Sequence, residues 1–219
     1  MKQELITTDD GSSSLYIPEL DETYHSTHGA LNEALHVFIE NGLKRCEHAS
    51  VKIFEVGFGT GLNALVSGVY KSENQNIEYN SIEAYPVELG VVRKLNYCDV
   101  LDGDYDAFFT ELHELTWETK HEMNDHFTFE KIHKLIENYT PKKMYHDLIF
   151  FDAFGPKVQS EMWNLSVLEK MYNTLKVGGE LITYCAQGQF KRNLKQLGFE
   201  VIALPGPPGK REMTVARKV

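Results

Sequence analysis

The stretch Ile53-Phe54-Glu55-Val56-Gly57-Phe58-Gly59-Thr60-Gly61-Leu62-Asn63 runs an apolar segment into three alternate glycines and then into a helical pattern. A turn of this kind makes a ligand crevice at the carboxyl end of a sheet, because glycine reaches positive φ and lets the backbone approach a bound molecule with no Cβ between them. Its spacing discriminates between ligands. A dinucleotide fingerprint wants glycine at the first, third and sixth positions, but the sixth here is Leu62 and the third glycine comes one residue early. A P-loop wants Lys and then Ser or Thr after its last glycine, where this chain has Leu62-Asn63. Glu55, just before the turn, would repel a pyrophosphate and attract a cationic ligand such as an ammonium or a sulfonium. A methionine-derived sulfonium cofactor fits that field, with Glu55, Gly57, Gly59, Gly61 and Asn63 as its candidate contacts.

Two further carboxylates belong with this turn. Glu83 stands at the end of the second expected strand, 26 positions after Gly57, about where an acid accepts the two hydroxyls of a ribose. Asp152 ends the apolar run Leu148-Ile149-Phe150-Phe151, and Phe154 with the restricted Gly155-Pro156 would shape a pocket beside it. Charged side chains rarely follow such strands without a partner or a task, so Asp152 is the candidate catalytic acid. The nine histidines show no metal-ligand spacing with carboxylates or cysteines, and no metal site is expected.

These residues need a scaffold of alternating strands and helices. The expected strands are Val51–Val56, Ile77–Ala84, Phe127–Ile132, His146–Phe151 and Gly179–Cys185, with Phe199–Leu204 and Met213–Arg217 as a closing pair. Helical patterns fall at Leu62–Tyr70, Pro86–Asn96, Ala107–Thr116, His133–Tyr139, Ser160–Leu175 and Phe190–Leu197. The alternation predicts a doubly wound α/β fold with a seven-stranded, mostly parallel sheet. Residues 1–50 read as an N-terminal extension, with a turn at Asp9–Ser14, a short extended piece at Leu15–Ile17 and an amphipathic helix from Thr27 to about Gly42. Residues 51–219 form the core, so one domain is expected over 1–219.

Composition bounds the rest. The chain has 219 residues and 42% hydrophobic content, enough for one sizeable core. No apolar run reaches the roughly 20 residues needed to cross a bilayer, and no secretory signal opens the chain, so no membrane partner and a cytoplasmic location are expected. Cys46, Cys98 and Cys185 are odd in number and scattered, which predicts buried or half-buried free thiols. The net charge of −10 excludes a protein that coats nucleic acid over its whole surface, although basic pairs such as Lys142-Lys143, Lys191-Arg192 and Lys210-Arg211 gather in the C-terminal third.

Through Phe54–Asn63, Phe151–Lys157 with Met162-Trp163, and Gly206–Met213, the chain resembles the methyltransferase part of the MnmC/MnmD family over roughly residues 5–219. The resemblance implies a class I, Rossmann-like methyltransferase using S-adenosylmethionine. The family methylates the exocyclic amine of 5-aminomethyl(-2-thio)uridine at the tRNA wobble position, so a tRNA substrate is implied. It also implies that the glycine loop and Glu83 hold the cofactor, that Asp152 is the active-site acid, and that Tyr24, Phe154, Lys210 and Arg211 are weaker pocket candidates. After its third strand the family often has an acid near the adenine, where this chain offers Glu130-Lys131. With no second glycine fingerprint before Val219, the single-domain form is implied, for which a separate FAD oxidoreductase or another amine-generating enzyme supplies the substrate amine. The rival readings are a polyamine-synthase-like aminopropyltransferase, which shares the sulfonium donor, and a small-molecule N-methyltransferase.

Overall fold

A computed structural model describes residues 2–219. The chain opens with three short strands, β1 (Glu4–Thr7), β2 (Ser13–Ile17) and β3 (Glu22–Thr23), paired antiparallel in a small sheet of their own. Helix α1 (Ala30–Ala34) follows and runs on as a π-helical stretch, Leu35–Glu40. The first N–H groups of a helix have no partner within it. Here the preceding turn supplies three: Thr8 Oγ1 accepts from the Ala30 N–H, Ser12 Oγ from Leu31 and Asp10 from Asn32. Asn96 in turn accepts from the Ser13 N–H at 2.7 Å, which fastens the extension to the core.

The core begins at β4 (Ser50–Val56), followed by α2 (Leu62–Tyr70), β5 (Asn76–Glu83), α3 (Leu89–Val92), α4 (Tyr97–Leu101) and α5 (Asp106–Glu114). Then come β6 (Lys120–Asn124), β7 (Phe127–His133), β8 (His146–Phe151), α6 (Leu165–Thr174), β9 (Leu175–Thr183), α7 (Gly188–Gln196), β10 (Phe199–Pro205) and β11 (Glu212–Lys218). The main sheet runs in the order β10-β11-β9-β8-β4-β5-β7-β6, with β7, β5, β4, β8 and β9 mutually parallel. The expected mostly parallel sheet is present, and β6 adds an eighth strand, antiparallel to β7 at the edge.

Strand β8 reads as a nearly continuous apolar run, and β4 places apolar side chains on both sides, because both faces of the sheet are covered there. Along β4, Val51 and Ile53 pack with α2 and α5, whereas Phe54 and Val56 pack with α6 and α7. On β8 the same parity sends Phe150 to the first cluster and Phe151 to the second. Phe54, Phe150 and Phe151 are fully buried, each contributing roughly 1.5–3 kcal/mol by leaving water.

Helix boundaries depart from the periodic patterns where local chemistry interrupts them. The Pro86–Asn96 pattern shortens to α3, and Ile136–Asn138 is one 3₁₀ turn in place of a helix over His133–Tyr139. The Ser160–Leu175 pattern divides at Asn164, whose side chain accepts the Val167 N–H and starts α6 afresh. Cys46, Cys98 and Cys185 are free thiols, the first half-buried and the others buried. Among the described residues no helix is long and apolar enough to cross a membrane.

Candidate active site

The carboxyl ends of β4, β5 and β8 converge on a cavity of about 1020 Å³, closed on one side by the N-terminal segment around Tyr24 and His25. Two backbone bonds tie the strand ends together: the Gly57 N–H donates to the Ile82 carbonyl and the Asp152 N–H to the Val56 carbonyl, both at 2.9 Å. The glycine turn then rises with φ of +96° at Gly57 and +50° at Gly59. A Cβ on Gly57 would stand 2.5 Å from the Asp152 carbonyl oxygen, so only glycine lets β4 and β8 end this close together. Gly61, at +76°, starts α2 but does not line the cavity.

Glu83 faces the cavity and braces the loop. One carboxylate oxygen accepts from the Gly59 N–H and the other from the Tyr85 N–H, at 2.9 and 2.8 Å. Seven acidic side chains and three lysines line the cavity, a field that suits a cation. Glu55 is not among them, which corrects its assignment as a cofactor contact. The alternation along β4 turns it under α2, fully buried, where Ser81 Oγ donates to it at 2.6 Å. Burial pushes its carboxyl up to about 8, so at neutral pH it is mostly uncharged and adds little to the cavity's field. The cavity's negative charge comes instead from acids such as Glu83, Glu22 and Glu137.

Asp152 sits at the cavity floor beside Ala153 and Phe154. Asn63 Nδ2 donates to its carboxylate at 2.8 Å, so Asn63, expected as a cofactor contact, also holds the acid. Burial is the main cause that raises the Asp152 carboxyl to about 7. The nearby Glu33 charge adds to the rise, while the Asn63 donor and Lys210 oppose it. The turn after Asp152 is fastened at each carbonyl: Tyr184 donates its hydroxyl to Ala153 and Trp163 its indole N–H to Phe154, both at 2.8 Å. Phe154 meets Tyr24 edge to face at 5.1 Å, and Tyr24 packs over Gly59.

Lys210 also reaches the cavity. It pairs with Glu33 and lies over the Tyr184 ring at 3.8 Å from its centroid. Its neighbour Arg211 is exposed and outside the lining, so the structure separates these two candidates. Glu130 lies within β7 and accepts from Asn80, and Lys131 is buried with its ammonium on the His113 carbonyl. The wall beyond β7 is instead built by Lys134–Glu137. Glu33, His25, Tyr184 and this wall are among the cavity residues that the motifs did not mark. Glu33 lies in the amphipathic helical pattern of residues 27–42, where nothing in the spacing set it apart from the other polar residues. Among the described residues no group of three or more His, Cys, Asp or Glu side chains could hold a metal ion.

A doubly wound sheet with a glycine cradle, a strand-end acid beside it and a second acid facing a deep cavity defines an α/β transferase that binds a small cofactor at its sheet edge. Residues 96–219 match the model of the S-adenosyl-L-methionine-dependent methyltransferase family, and the chain belongs to that family. Its cofactor is S-adenosylmethionine. The cavity fits this group: its lining is anionic toward a sulfonium, and at Gly59 a Cβ would press on the ring of Tyr24, which lines the cavity.

Among similar proteins, the tRNA 5-methylaminomethyl-2-thiouridine biosynthesis bifunctional protein MnmC of Cupriavidus metallidurans is 32% identical over 98% of this chain, which covers 34% of that protein. The protein of the same name from Cupriavidus necator is 30% identical over 92% of the chain, which covers 32% of it. The chain thus spans about a third of the length of the curated relatives it matches. Among solved structures, MNMC2 from Aquifex aeolicus superposes with a TM-score of 0.81 at 24% identity, covering 99% of this chain and 70% of that one. Spermidine synthase from Thermotoga maritima shares the fold at a TM-score of 0.57 and 14% identity, over 99% of this chain and 72% of that one.

Proposed function

We propose that this methyltransferase acts as one unit over residues 1–219 and methylates the exocyclic amine of 5-aminomethyl(-2-thio)uridine at the tRNA wobble position. The observation that carries the reading is Asp152: a carboxyl held by Asn63 at the floor of an anionic cavity, with a pKa near 7. The names of the relatives, which specify biosynthesis of the methylated nucleoside in tRNA, support the same substrate.

S-adenosylmethionine, when bound, supplies a methyl group on a positively charged sulfur. Gly57, Gly59 and Glu83 would hold it, with Tyr85 and the Leu135–Ile136 wall against its other parts. The remaining work is alignment and proton management. A primary amine is mostly an ammonium at neutral pH and has no lone pair in that form. Asp152 binds the ammonium, orients it and accepts a proton, and a carboxyl titrating near 7 is matched to that exchange. Phe154 and Tyr24 form an aromatic edge against which an unstacked base could lie. The amine itself is made by another activity, an FAD-dependent oxidoreductase in this reading.

Incubation with S-adenosylmethionine and tRNA carrying the free wobble amine, followed by nucleoside mass spectrometry, is expected to show one methyl gained on that nucleoside. Asp152→Ala is expected to abolish the gain while leaving cofactor affinity within several-fold. Product from decarboxylated donor and putrescine, with none from the tRNA, would replace this reading with an aminopropyltransferase.

A further inference from the structure

A Cβ on Gly61 would stand 2.6 Å from Nε2 of His113 and 3.1 Å from Cζ of Phe58, although Gly61 itself does not line the cavity. The place of a side chain is taken by the His113 ring, which comes from the last turn of α5. Its Nε2 lies 3.1 Å from the Thr60 carbonyl oxygen. A carbonyl only accepts, so Nε2 carries the ring proton and is the donor. Thr60 sits between the second and third glycines of the loop and is 2% exposed, and Phe58, Gly59 and Thr60 all line the cavity.

The ring is itself held. Phe58 and Phe109 pack against it, each with centroids 5.0 Å apart, and Lys131 on β7 donates to the His113 carbonyl at 2.5 Å. Burial lowers the imidazole to about 4, with the Lys131 charge adding to the fall and the Thr60 bond opposing it, so the ring is neutral at working pH. The Thr60 side chain is fixed as well, since the Tyr97 hydroxyl of α4 donates to its Oγ1 at 3.0 Å. The loop is thus gripped from the α4 and α5 side, while on the cavity side the Gly59 N–H donates to Glu83.

We infer that His113 is a positioning residue for S-adenosylmethionine, which holds the glycine loop from behind by the Thr60 carbonyl in a place that Gly61 leaves open for its ring. His113 does not line the cavity, so it acts through the loop and not by contact with the cofactor. The first and third glycines then answer to different neighbours. Gly57 lets the ends of β4 and β8 meet, whereas Gly61 admits the imidazole that fixes the backbone between Gly59 and α2.

The test compares two amides at this position in the full chain, by calorimetric affinity for S-adenosylhomocysteine and by hydrogen exchange of residues 58–62 without cofactor. His113→Gln can place an N–H where Nε2 stands, whereas His113→Asn ends where Nδ1 stands and falls short of Thr60. The Gln variant should bind within about threefold of wild type and exchange at the wild-type rate. The Asn variant should bind about tenfold or more weakly and exchange faster at the loop, with its loss in turnover appearing in KM for S-adenosylmethionine more than in kcat. Gly61→Ala supplies a second route: it should weaken binding, and by less in the His113→Asn background than in wild type, because the ring it strikes is gone. Affinity and exchange do not depend on which amine is methylated, so this test stands apart from the tRNA reading. Equal losses in the Gln and Asn variants would overturn the inference, as would wild-type affinity in His113→Asn or a Gly61→Ala loss that is the same in both backgrounds.

Discussion

Burial lifts the Asp152 carboxyl from 3.8 to about 7, and Asn63 and Lys210 only partly offset it. Such a shift has a cost in stability whose sign follows from proton linkage. Below about pH 3.8 the group is protonated folded or unfolded. Between there and about 7 the folded chain keeps a proton that the unfolded chain has shed, so stability falls across that window and stays lower above it. Asp152→Asn removes the ionisation and should stabilise the protein at pH 8 by on the order of 2 kcal/mol, with the gain shrinking toward pH 4. The same variant should lose at least about 100-fold in turnover, because a carboxamide accepts no proton from an ammonium. Thermal melts at both pH values check the first part, and a melt at pH 8 no higher than wild type would contradict it. At this scale Asp152 was legible because it follows an apolar strand, and Glu83 because of its spacing from the glycine turn at the end of a strand. Glu55 was misplaced because a pattern of period two separates the faces of a strand without saying which face α2 covers. Glu33 and Tyr184 reach the cavity only through tertiary packing of distant segments.

Strand ends and the turns between them carry the next constraint. Gly57 combines a φ of +96° with a backbone neighbour 2.5 Å from where a Cβ would stand, so Gly57→Ala must both strain its own backbone and push the end of β8 away. The conformational part alone is about 1–2 kcal/mol, and displacement of Asp152 adds a functional loss. Cofactor affinity and turnover should fall together, by about tenfold or more. Gly90 in α3 is the contrast: it is exposed, with nothing within 4 Å of its built Cβ, and Gly90→Ala should stabilise by about 0.5–1 kcal/mol with activity unchanged. Equal effects at the two positions would contradict this account of the loop. The elements that hold the loop, β4, α2, β5 and β8, stood out in the sequence because both faces of the strands are buried. Strand β6 did not, since Lys120–Asn124 alternates between exposed and half-buried positions at the sheet edge and carries almost no apolar signal.

Across the whole molecule, the two ends of the chain meet over the site. Lys210, at the entry to β11, pairs with Glu33 of α1, 177 residues earlier, and this contact closes the cavity beside Asp152. Several other basic residues of the C-terminal third are likewise engaged: Lys191 with Glu212, Lys176 with Asp147 and Arg217 with Glu180. The basic pairs seen in the sequence therefore provide fewer free cations than their number suggests, because pairing across the fold cannot be read from sequence spacing. Lys210 has a second role through its charge, since it lowers the Asp152 pKa while Glu33 raises it. Lys210→Met removes the first influence and leaves the second, so the Asp152 carboxyl should move upward and the rising acid limb of the kcat/KM profile should shift to higher pH. Glu33→Gln should move it the other way, because Lys210 then acts unopposed. The double variant should return the limb toward its wild-type position, because it removes the raising and the lowering influence together. Profiles of the four proteins on the same amine-bearing tRNA decide the matter: limbs that coincide in all four would mean that this charge pair closes the cavity without tuning the acid inside it.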